Sequence, residues 1–312
     1  MKQFTITEDF SGMRLDRFIK KACPEIGKNT AQKMIRKGDA KVNGKKASAD
    51  CILNTGDTVK IYVREDAVKT LEINFELPDP EVIYEDELIM AVNKPPYLPS
   101  QPSSKGEDSV SERVKKYLAD DIKAYDGLFS PGTANRLDTN TSGIVLAGKT
   151  PQAQRELSSL IASNKIDKVY TALVYGHFPG KMKVSDYAVK NTSSNLMTVY
   201  DEPVEGSVSM VSVFEPVEYI GEYTLLRAKL ITGRTHQIRA QLSHLGYPVV
   251  LDRKYCDSTR NDRFRQSYGL NRQFLHCSEV SFKIWYDSSI LKITCDLPED
   301  LADVIGKLRS EK

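Results

Sequence analysis

The amino-acid chain is 312 residues long, which favours about two domains, and its hydrophobic content of 40% is enough for packed cores. No apolar run approaches the roughly 18 residues of a membrane span, and the first residues do not form an apolar secretion segment. The five cysteines are scattered and never form a Cys-x-x-Cys pair, and with only four histidines they show no pattern of a disulfide framework or a metal site. We therefore interpret the chain as a cytoplasmic protein without metal or membrane contact.

The net charge of +2 conceals an uneven distribution along the chain. Residues 1–64 carry 14 Lys and Arg against 7 Asp and Glu, a net charge of +7, so the remainder carries 30 against 35, a net charge of −5. A small basic unit joined to a nearly neutral body is typical of an enzyme with a nucleic-acid anchor. The alternative interpretation is a solvated basic face.

The first 64 residues have the pattern of two helices and a small sheet. We predict a second helix that is capped by Thr30 and ended by Gly38. Asn43-Gly44 indicates a type I′ hairpin, and the alternating apolar residues at 59, 61 and 63 predict a strand after Gly56. The first helix is predicted by an apolar stripe with i, i+3, i+4, i+7 spacing, formed by Leu15, Phe18, Ile19 and Ala22.

This N-terminal pattern resembles an S4 RNA-binding domain. The segment 35–45 and the later Gly56-Asp57 match that domain well, whereas residues 29–32 lack the Ser-Arg pair that often opens its second helix. The resemblance implies that the unit binds RNA through cations outside the apolar stripe. The candidates for RNA contact in this unit are Arg14, Arg17, Arg36 and Lys37.

A second domain, residues 81–312, is predicted to follow a linker at 65–80. Apolar strands at 82–84 and 88–92 precede Lys94-Pro95-Pro96, where proline cannot continue the ladder. Helical spacing follows at 110–118, and Thr150-Pro151 predicts the start of a further helix. Helices and strands alternate without a regular βαβ period. We therefore predict an α+β domain with a mixed, mainly antiparallel sheet and flanking helices.

The most informative segment of the chain is Arg136–Gly143. It places the Asp138 carboxylate close to an arginine, then continues with polar turn-forming residues and the apolar run 144–147, which reads as a buried strand. Because a loop that feeds a core strand is held rigidly, a reactive carboxylate is well placed there. Considered alone, Asp138 is more simply a turn or capping residue.

Two further segments carry candidate chemistry. Residues 168–174 read as a strand with an outward Tyr170. Residues 232–239 end a strand and open a helix capped by Thr235, so that Arg239 lies in the first turn. Free N–H groups in a first turn favour an anion, which here is Asp138 or a substrate phosphate.

The histidines and Tyr170 have simpler interpretations when each is taken singly. His276 lies on the apolar segment 270–277 and reads as a core histidine with satisfied hydrogen bonds. His236 reads as a capping or packing residue, and Tyr170 as a core residue. Each signal is weak alone, and only their combination in this order is specific.

That combination resembles the RluA family of pseudouridine synthases over nearly the whole chain, including the S4-like unit. The motifs that carry the resemblance are Tyr84-Glu85-Asp86, Asn93–Pro96, Asn135–Gly143, Lys168–Val174 and Thr232–Arg239. The tail, with Gly269–Arg272 before Phe274-Leu275-His276, is most similar to members that act on large-subunit ribosomal RNA. Departures from the family pattern occur at Asn135, Gln101, Leu251–Cys256 and Ile284-Trp285, and none removes a proposed catalytic residue.

The resemblance implies isomerisation of uridine in RNA without a cofactor or a metal. Asp138 would be the nucleophile, or the base that opens a glycal-type route, and Arg239 would pair with it. Tyr170 would stack on the uracil, and Arg136 would fill the gap left by the flipped base. Lys94 and Arg234 are candidates for phosphate contact. We expect a monomer whose partner is RNA, most simply large-subunit ribosomal RNA.

Three alternatives remain open from the sequence. One is a synthase of the same family that modifies transfer RNA, and another is a non-catalytic RNA-binding or ribosome-assembly protein on the same fold. The third is a hydrolase of glycosidic bonds. It would require a second acid, for which Glu85 and Asp86 are the available residues.

Overall fold

The computed structural model describes residues 1–23, 26, 28–62, 73–104, 106–123, 125, 128–191 and 193–311. The predicted strand residue Val63 and half of the predicted linker, residues 65–72, lie outside the described residues. Residues 73–80 contain neither helix nor strand.

The N-terminal part forms a four-stranded antiparallel sheet and two helices. The strands are β1 (Lys2–Thr5), β2 (Ala40–Val42), β3 (Lys45–Lys46) and β4 (Thr58–Ile61), in the order β1-β4-β2-β3, and the helices are α1 (Leu15–Ala22) and α2 (Lys28–Lys37). The apolar stripe of α1 is buried in a cluster that includes Phe4, Ile35 and Val59 and that also contains Leu128 of the larger part of the chain. Burial of these side chains away from water is the main stabilising contribution to so small a unit.

The local predictions in this unit are largely confirmed, with one correction. Asn43 and Gly44 have φ of +52° and +78°, as a type I′ turn requires. Gly38 ends α2 with φ of +86°, and its N–H donates to the Met34 carbonyl. The prediction of Thr30 as the cap was wrong, because α2 begins at Lys28 and Thr30 lies within its first turn.

The larger part of the chain is built on a mixed ten-stranded sheet. Its order is β10-β9-β11-β12-β8-β13-β7-β6-β5, and β14 also pairs with β13. Among the described residues, the pairing of β13 with β7 is parallel and the other strand pairs are antiparallel. The prediction of a mixed, mainly antiparallel sheet is confirmed. The strands are β5 (Val82–Glu85), β6 (Ile89–Lys94), β7 (Ser142–Gly148), β8 (Asp167–Tyr175), β9 (Met182–Asn191), β10 (Leu196–Tyr200), β11 (Val208–Ile220), β12 (Tyr223–Leu230), β13 (Leu275–Lys283) and β14 (Ile290–Thr294).

Helices flank this sheet, as predicted. Thr150 caps one of them by accepting a hydrogen bond from the Ala153 N–H at 3.1 Å, with Pro151 in the first position. No described helix is both long enough and apolar enough to cross a membrane. The helices are α3 (Val110–Tyr117), α4 (Ala119–Lys123), α5 (Pro151–Ala162), α6 (Gln237–His244), α7 (Ser258–Tyr268) and α8 (Glu299–Ser310).

The close approach of β7 and β13 places the Asp138 motif. Gly143 has φ of +113°, and a Cβ there would collide with the backbone of Cys277, so only glycine fits. Beside it, the Ser142 hydroxyl and the Nδ1 atom of His276 are 2.9 Å apart, and His276 is fully buried. His276 is therefore a core histidine with satisfied hydrogen bonds, as predicted. All seven residues of β7 are buried, which fixes the position of the turn that precedes it.

Candidate active site

The turn that carries Asp138 is held by hydrogen bonds from several elements. The Ser100 hydroxyl accepts from the Leu137 N–H and donates to the Leu137 carbonyl, both at 3.0 Å. The Thr141 N–H donates to the Asp138 carbonyl at 2.9 Å, and the Gln273 amide donates to the Thr141 hydroxyl at 2.8 Å. The predicted rigidity of this turn therefore comes from the loop after β6 and the segment before β13 as well as from β7.

Lys94 also belongs to this support and does not contact solvent. Its Nζ atom is fully buried and donates to the carbonyls of Pro95, Leu98 and Thr139 at 2.8–2.9 Å. Burial lowers the pKa of Lys94 to about 7, although three carbonyl acceptors satisfy all the N–H groups of its charged form. The prediction of Lys94 as a phosphate contact is wrong, because β6 ends inside the core and turns the side chain toward the Asp138 turn.

The Asp138 carboxylate is the partly exposed member of a buried ion-pair cluster. Its side chain is 30% exposed, and its Oδ2 atom accepts a hydrogen bond from Nη1 of Arg239 at 2.7 Å. Arg239 lies in the first turn of α6 and its side chain is 6% exposed. The predicted pair of Asp138 and Arg239 is thus present, across 101 residues of sequence.

A second carboxylate, Asp252, holds the rest of the Arg239 guanidinium. Its two oxygens accept from Nε and Nη2 of Arg239 at 2.6 and 2.8 Å, and Asp252 is fully buried. Although burial opposes the charge, the hydrogen bond and charge of Asp252, followed by those of Asp138, raise the pKa of Arg239 above its ordinary value. The guanidinium is therefore a permanent cation shared by two carboxylates.

Tyr170 lies on β8 and forms part of the wall next to Asp138. It is 6% exposed, so the prediction that it points outward was wrong. The reason is that β8 lies between β12 and β13 in the middle of the sheet, where both faces are covered. Burial, and then the neighbouring Cys277 and Asp138, raise the pKa of the Tyr170 hydroxyl well above its usual value, so this group keeps its proton.

His236 occupies the N-cap position of α6 with φ of +52°, which is uncommon for a residue other than glycine. The prediction of Thr235 as the cap was wrong by one residue, because the left-handed turn at His236 delays the start of the helix. The Nδ1 atom of His236 is 3.0 Å from the Tyr255 hydroxyl, and Nε2 is 3.9 Å from Oδ1 of Asp138. Burial lowers the pKa of His236, so its imidazole is neutral near pH 7.

Asp138, Tyr170, His236 and Arg239 line one open cavity of about 820 Å³. Asp138 is the one acidic residue among the described lining residues, and eight cationic residues line the same cavity. Such a cavity attracts a polyanion and places a single carboxylate within its reach. The eight cationic lining residues are Arg136, Lys168, Lys190, Arg234, Arg239, Arg253, Lys254 and Arg272.

The comparison with protein families decides the assignment. The family model described as RNA pseudouridylate synthase matches residues 88–244, which include Asp138, Tyr170 and Arg239. The chain belongs to this family. It is therefore an enzyme of the class that isomerises uridine in RNA to pseudouridine.

Curated relatives of this synthase match it over almost their whole length. The ribosomal large subunit pseudouridine synthase C of Vibrio vulnificus is 29% identical, over 98% of this chain and 96% of the relative. The protein of the same name from Haemophilus influenzae is 29% identical, over 100% of this chain and 96% of the relative. An uncharacterized RNA pseudouridine synthase of Bacillus subtilis is 27% identical, over 99% of both chains.

Solved structures support the fold of this synthase. Human RNA pseudouridylate synthase domain containing 4 superposes with a TM-score of 0.60 at 18% identity, covering 73% of this chain and 93% of that chain. Human RNA pseudouridylate synthase domain containing 1 gives a TM-score of 0.55 at 20% identity, covering 77% of this chain and 98% of that chain.

Some of the residues predicted to contact RNA line the cavity of the synthase, and others lie outside its lining. Arg136 and Arg234 are exposed and line the cavity. The cations predicted in the N-terminal unit are exposed on α1 and α2 or just before α1, and none lines the cavity: Arg14, Arg17, Arg36 and Lys37.

The sequence did not reveal three residues of this synthase that organise the site. Asp252 and Tyr255 stand out in the sequence only as part of a departure from the family pattern, and Arg272 only as part of the C-terminal segment. Arg272 is 1% exposed and binds both oxygens of Asp300 at 2.6 and 2.8 Å. The neighbouring residues in the sequence give no signal for such roles, because the partners lie far away along the chain.

Proposed function

We propose that this synthase modifies specific uridines of large-subunit ribosomal RNA, with Asp138 as its catalytic carboxylate. The observation that carries the proposal is the geometry of Asp138. It is a single acid in a cavity lined by eight cations, its side chain is 30% exposed, and one of its oxygens is held by Arg239 at 2.7 Å, while the other accepts no hydrogen bond from a described residue. The choice of ribosomal RNA is supported by the names of the relatives that match over nearly their full length.

The reaction requires only rearrangement of the substrate's own bonds. In one route, Asp138 attacks C1′, and the C1′–N1 electron pair leaves with the uracil. The uracil turns, its C5 atom attacks C1′ and displaces the carboxylate, and N1 takes up a proton in place of the one that C5 then loses. In the other route, Asp138 removes the C2′ proton as the C1′–N1 electron pair leaves with the uracil, which gives a glycal. C5 of the turned uracil then bonds to C1′, the proton returns to C2′, and N1 takes up a proton in place of the one that C5 loses. Substrate and product are isomers in both routes, so the atoms balance without a further reactant.

The residues around Asp138 suit these steps. The fixed charge of Arg239 stabilises the carboxylate whenever it is released as an anion. Tyr170 offers a ring for stacking against the uracil and a hydroxyl that keeps its proton. Arg136 is exposed beside Asp138 and is placed to fill the gap that a flipped uridine leaves.

We further propose that residues 1–64 are an S4-type RNA-binding unit, that residues 65–80 link it to the rest, and that residues 81–312 are the catalytic domain. This proposal is supported by a hydrophobic cluster built mainly from residues 4–61, which Leu128 joins from the larger part, and by the exposed cations of α1 and α2. Because phosphate contacts release counterions, such a surface adds affinity without reading sequence. Ribosomal RNA as substrate also implies a cytoplasmic location.

The test uses full-length protein and RNA that carries tritium at C5 of uridine. Wild-type protein should release tritium from large-subunit ribosomal RNA fragments, and Asp138→Asn should release none while it still binds the same RNA. Transfer RNA is the comparison substrate, and faster release from it would reassign the RNA class. Full activity of Asp138→Asn would exclude Asp138 as the catalytic group, and release of free uracil would indicate hydrolysis.

A further inference from the structure

A short turn, Asp252–Tyr255, is folded tightly around the Asp252 side chain. The Oδ1 atom of Asp252 accepts the N–H groups of Lys254 and Tyr255 at 2.9 and 3.2 Å. The Ser243 hydroxyl of α6 donates to the Tyr255 carbonyl at 2.7 Å. The turn is therefore fixed both internally and to the helix that carries Arg239.

The first end of this turn sets the orientation of the Arg239 guanidinium. Asp252 accepts from Nε and Nη2, so the plane of the guanidinium follows the plane of a carboxylate that is fully buried. Only the remaining Nη1 group faces Asp138. Without Asp252, Arg239 would be free to rotate or to close both nitrogens on Asp138 and hold the catalytic carboxylate too tightly.

The other end of the turn sets the orientation of His236. The Tyr255 hydroxyl oxygen accepts the Met197 N–H at 2.8 Å, and the same hydroxyl lies 3.0 Å from Nδ1 of His236. Because this hydroxyl makes no other hydrogen bond among the described residues, we assign its proton to Nδ1. A neutral imidazole that accepts at Nδ1 carries its proton on Nε2. That nitrogen lies 3.9 Å from Oδ1 of Asp138, too far for a hydrogen bond, so its N–H is available to a substrate group.

The groups that the two ends of the turn orient, Arg239 and His236, therefore both lie next to the Asp138 carboxylate. The Arg239 guanidinium binds Oδ2, and Nε2 of His236 lies 3.9 Å from Oδ1, which accepts no hydrogen bond from a described residue. The ring of Tyr255 also packs against Arg239, with the guanidinium carbon 5.3 Å from the ring centroid. No other described element contacts both Arg239 and His236 through side-chain hydrogen bonds.

We propose that the Asp252–Tyr255 turn is the positioning element of this active site. Asp252 directs one N–H of Arg239 to Oδ2 of Asp138, and Tyr255 directs the Nε2–H of His236 toward the space beside Oδ1, where a ribose hydroxyl or a uracil carbonyl enters. The proposal rests on the proposed role of Asp138. Asp252 and Tyr255 are positioning residues, because they act through Arg239 and His236.

The first test is a pair of variants that remove one interaction each, Asp252→Asn and Tyr255→Phe. We expect kcat to fall on the order of 10- to 100-fold for each, as for loss of a hydrogen bond to a charged or reacting group, with KM for the RNA within about 3-fold of wild type. The matched control is Asp108→Asn, which breaks another forked Arg–Asp pair, to Arg113 at 2.6 and 2.9 Å, outside the cavity. Its kcat should not change.

The decisive test is two double-mutant cycles measured on kcat, with folding of each variant checked by its thermal midpoint. If Asp252 acts through Arg239, Asp252→Asn should cost nothing further in an Arg239→Gln background. Likewise, Tyr255→Phe should cost nothing further in a His236→Asn background, since asparagine tolerates the left-handed backbone but does not reach the Nε2 position. Losses that multiply in both cycles would overturn the proposal and leave the turn a general structural element.

A third measurement does not depend on activity, and so separates this proposal from the proposed function. Nitrogen-15 spectra of histidine-labelled protein, with His236 assigned through His236→Asn, should show His236 protonated at Nε2. The Tyr255→Phe variant should lose this tautomer preference. A His236 that is protonated at Nδ1 in the wild type would overturn the Tyr255 half of the proposal, whether or not the RNA is modified.

Discussion

The Asp138 turn and the cationic face of the N-terminal unit use charge in two different ways. At the Asp138 turn, charged and polar side chains are buried and held by short hydrogen bonds from three separate elements. On the N-terminal unit, Arg17, Arg36 and Lys37 are exposed on helices, and the exposed Arg14 pairs with Asp16 at 2.9 Å. Chemistry at a single atom requires fixed geometry, whereas attraction of a polyanion requires only accessible charge.

A charge-conserving substitution in each region tests this contrast most directly. Asp138→Glu keeps the carboxylate but moves it by about one methylene group, so we expect kcat to fall at least about 100-fold. Arg36→Lys is the matched change on the exposed face and should alter neither kcat nor RNA affinity beyond about 2-fold. Rates of tritium release give kcat for each variant, and filter-binding isotherms give its RNA affinity. Comparable losses of kcat in the two variants would contradict the contrast between charge held in fixed geometry and charge that is merely accessible.

The next largest effect is expected at Lys94, whose amino group supports the rigid turn through its hydrogen bonds. Lys94→Met removes the donor to three carbonyls, so the free energy of unfolding should fall by about 3 kcal/mol, and kcat should fall with it. Urea denaturation measures the free energy of unfolding. Lys123→Met, where the lysine side chain is 72% exposed, is the control and should change stability by less than about 0.5 kcal/mol. A stable Lys94→Met with normal kcat would remove Lys94 from the support of the turn.

A smaller effect is expected from the exposed face. Replacing Arg14, Arg17, Arg36 and Lys37 together by Ala should lower RNA affinity and flatten its salt dependence, by about 0.7–0.9 in the log–log slope for each phosphate that is no longer neutralised. The thermal midpoint and kcat at saturating RNA should remain those of the wild type. An unchanged slope would exclude this face as the RNA anchor.

The smallest expected effect is the pH dependence of stability that comes from His276. Burial lowers the pKa of His276 in the folded protein, so the unfolded chain binds more protons as pH falls below about 6.5. Unfolding free energy should therefore fall with decreasing pH, by at most about 1.4 kcal/mol per pH unit for this one group. His276→Gln should have a shallower dependence between pH 7.5 and 5.5. An equal pH dependence of the unfolding free energy in the wild type and in His276→Gln would show that His276 is not its source.

Local patterns predicted the fold well where the interactions are local. The Asn43-Gly44 turn, the Thr150 cap and the buried run 144–147 were all placed from the sequence, because each depends on neighbouring residues. The caps at Thr30 and Thr235 were misplaced by a few residues at most, since the left-handed His236 and the early start of α2 depend on packing.

The candidate site was predictable only in part, because its motifs are local but the burial of its side chains is not. Asp138 and Arg239 could be paired from their motifs, but Tyr170 was expected to point outward, and Lys94 was expected to reach phosphate. Both errors concern burial. Nothing in the segment 168–174 or in Lys94-Pro95-Pro96 shows that neighbouring strands and loops cover these side chains.

The amino-acid sequence alone was sufficient to predict the family and the α+β class and to single out the carboxylate proposed for the chemistry, because these follow from short motifs in a fixed order. How that carboxylate is held depends on the tertiary fold. Asp252 follows Arg239 by 13 residues and Asp138 precedes it by 101, yet both bind the same guanidinium. A buried charged group is stable only when partners of opposite charge bind it. The tertiary fold brings these partners together, and their separation along the chain does not predict the contact.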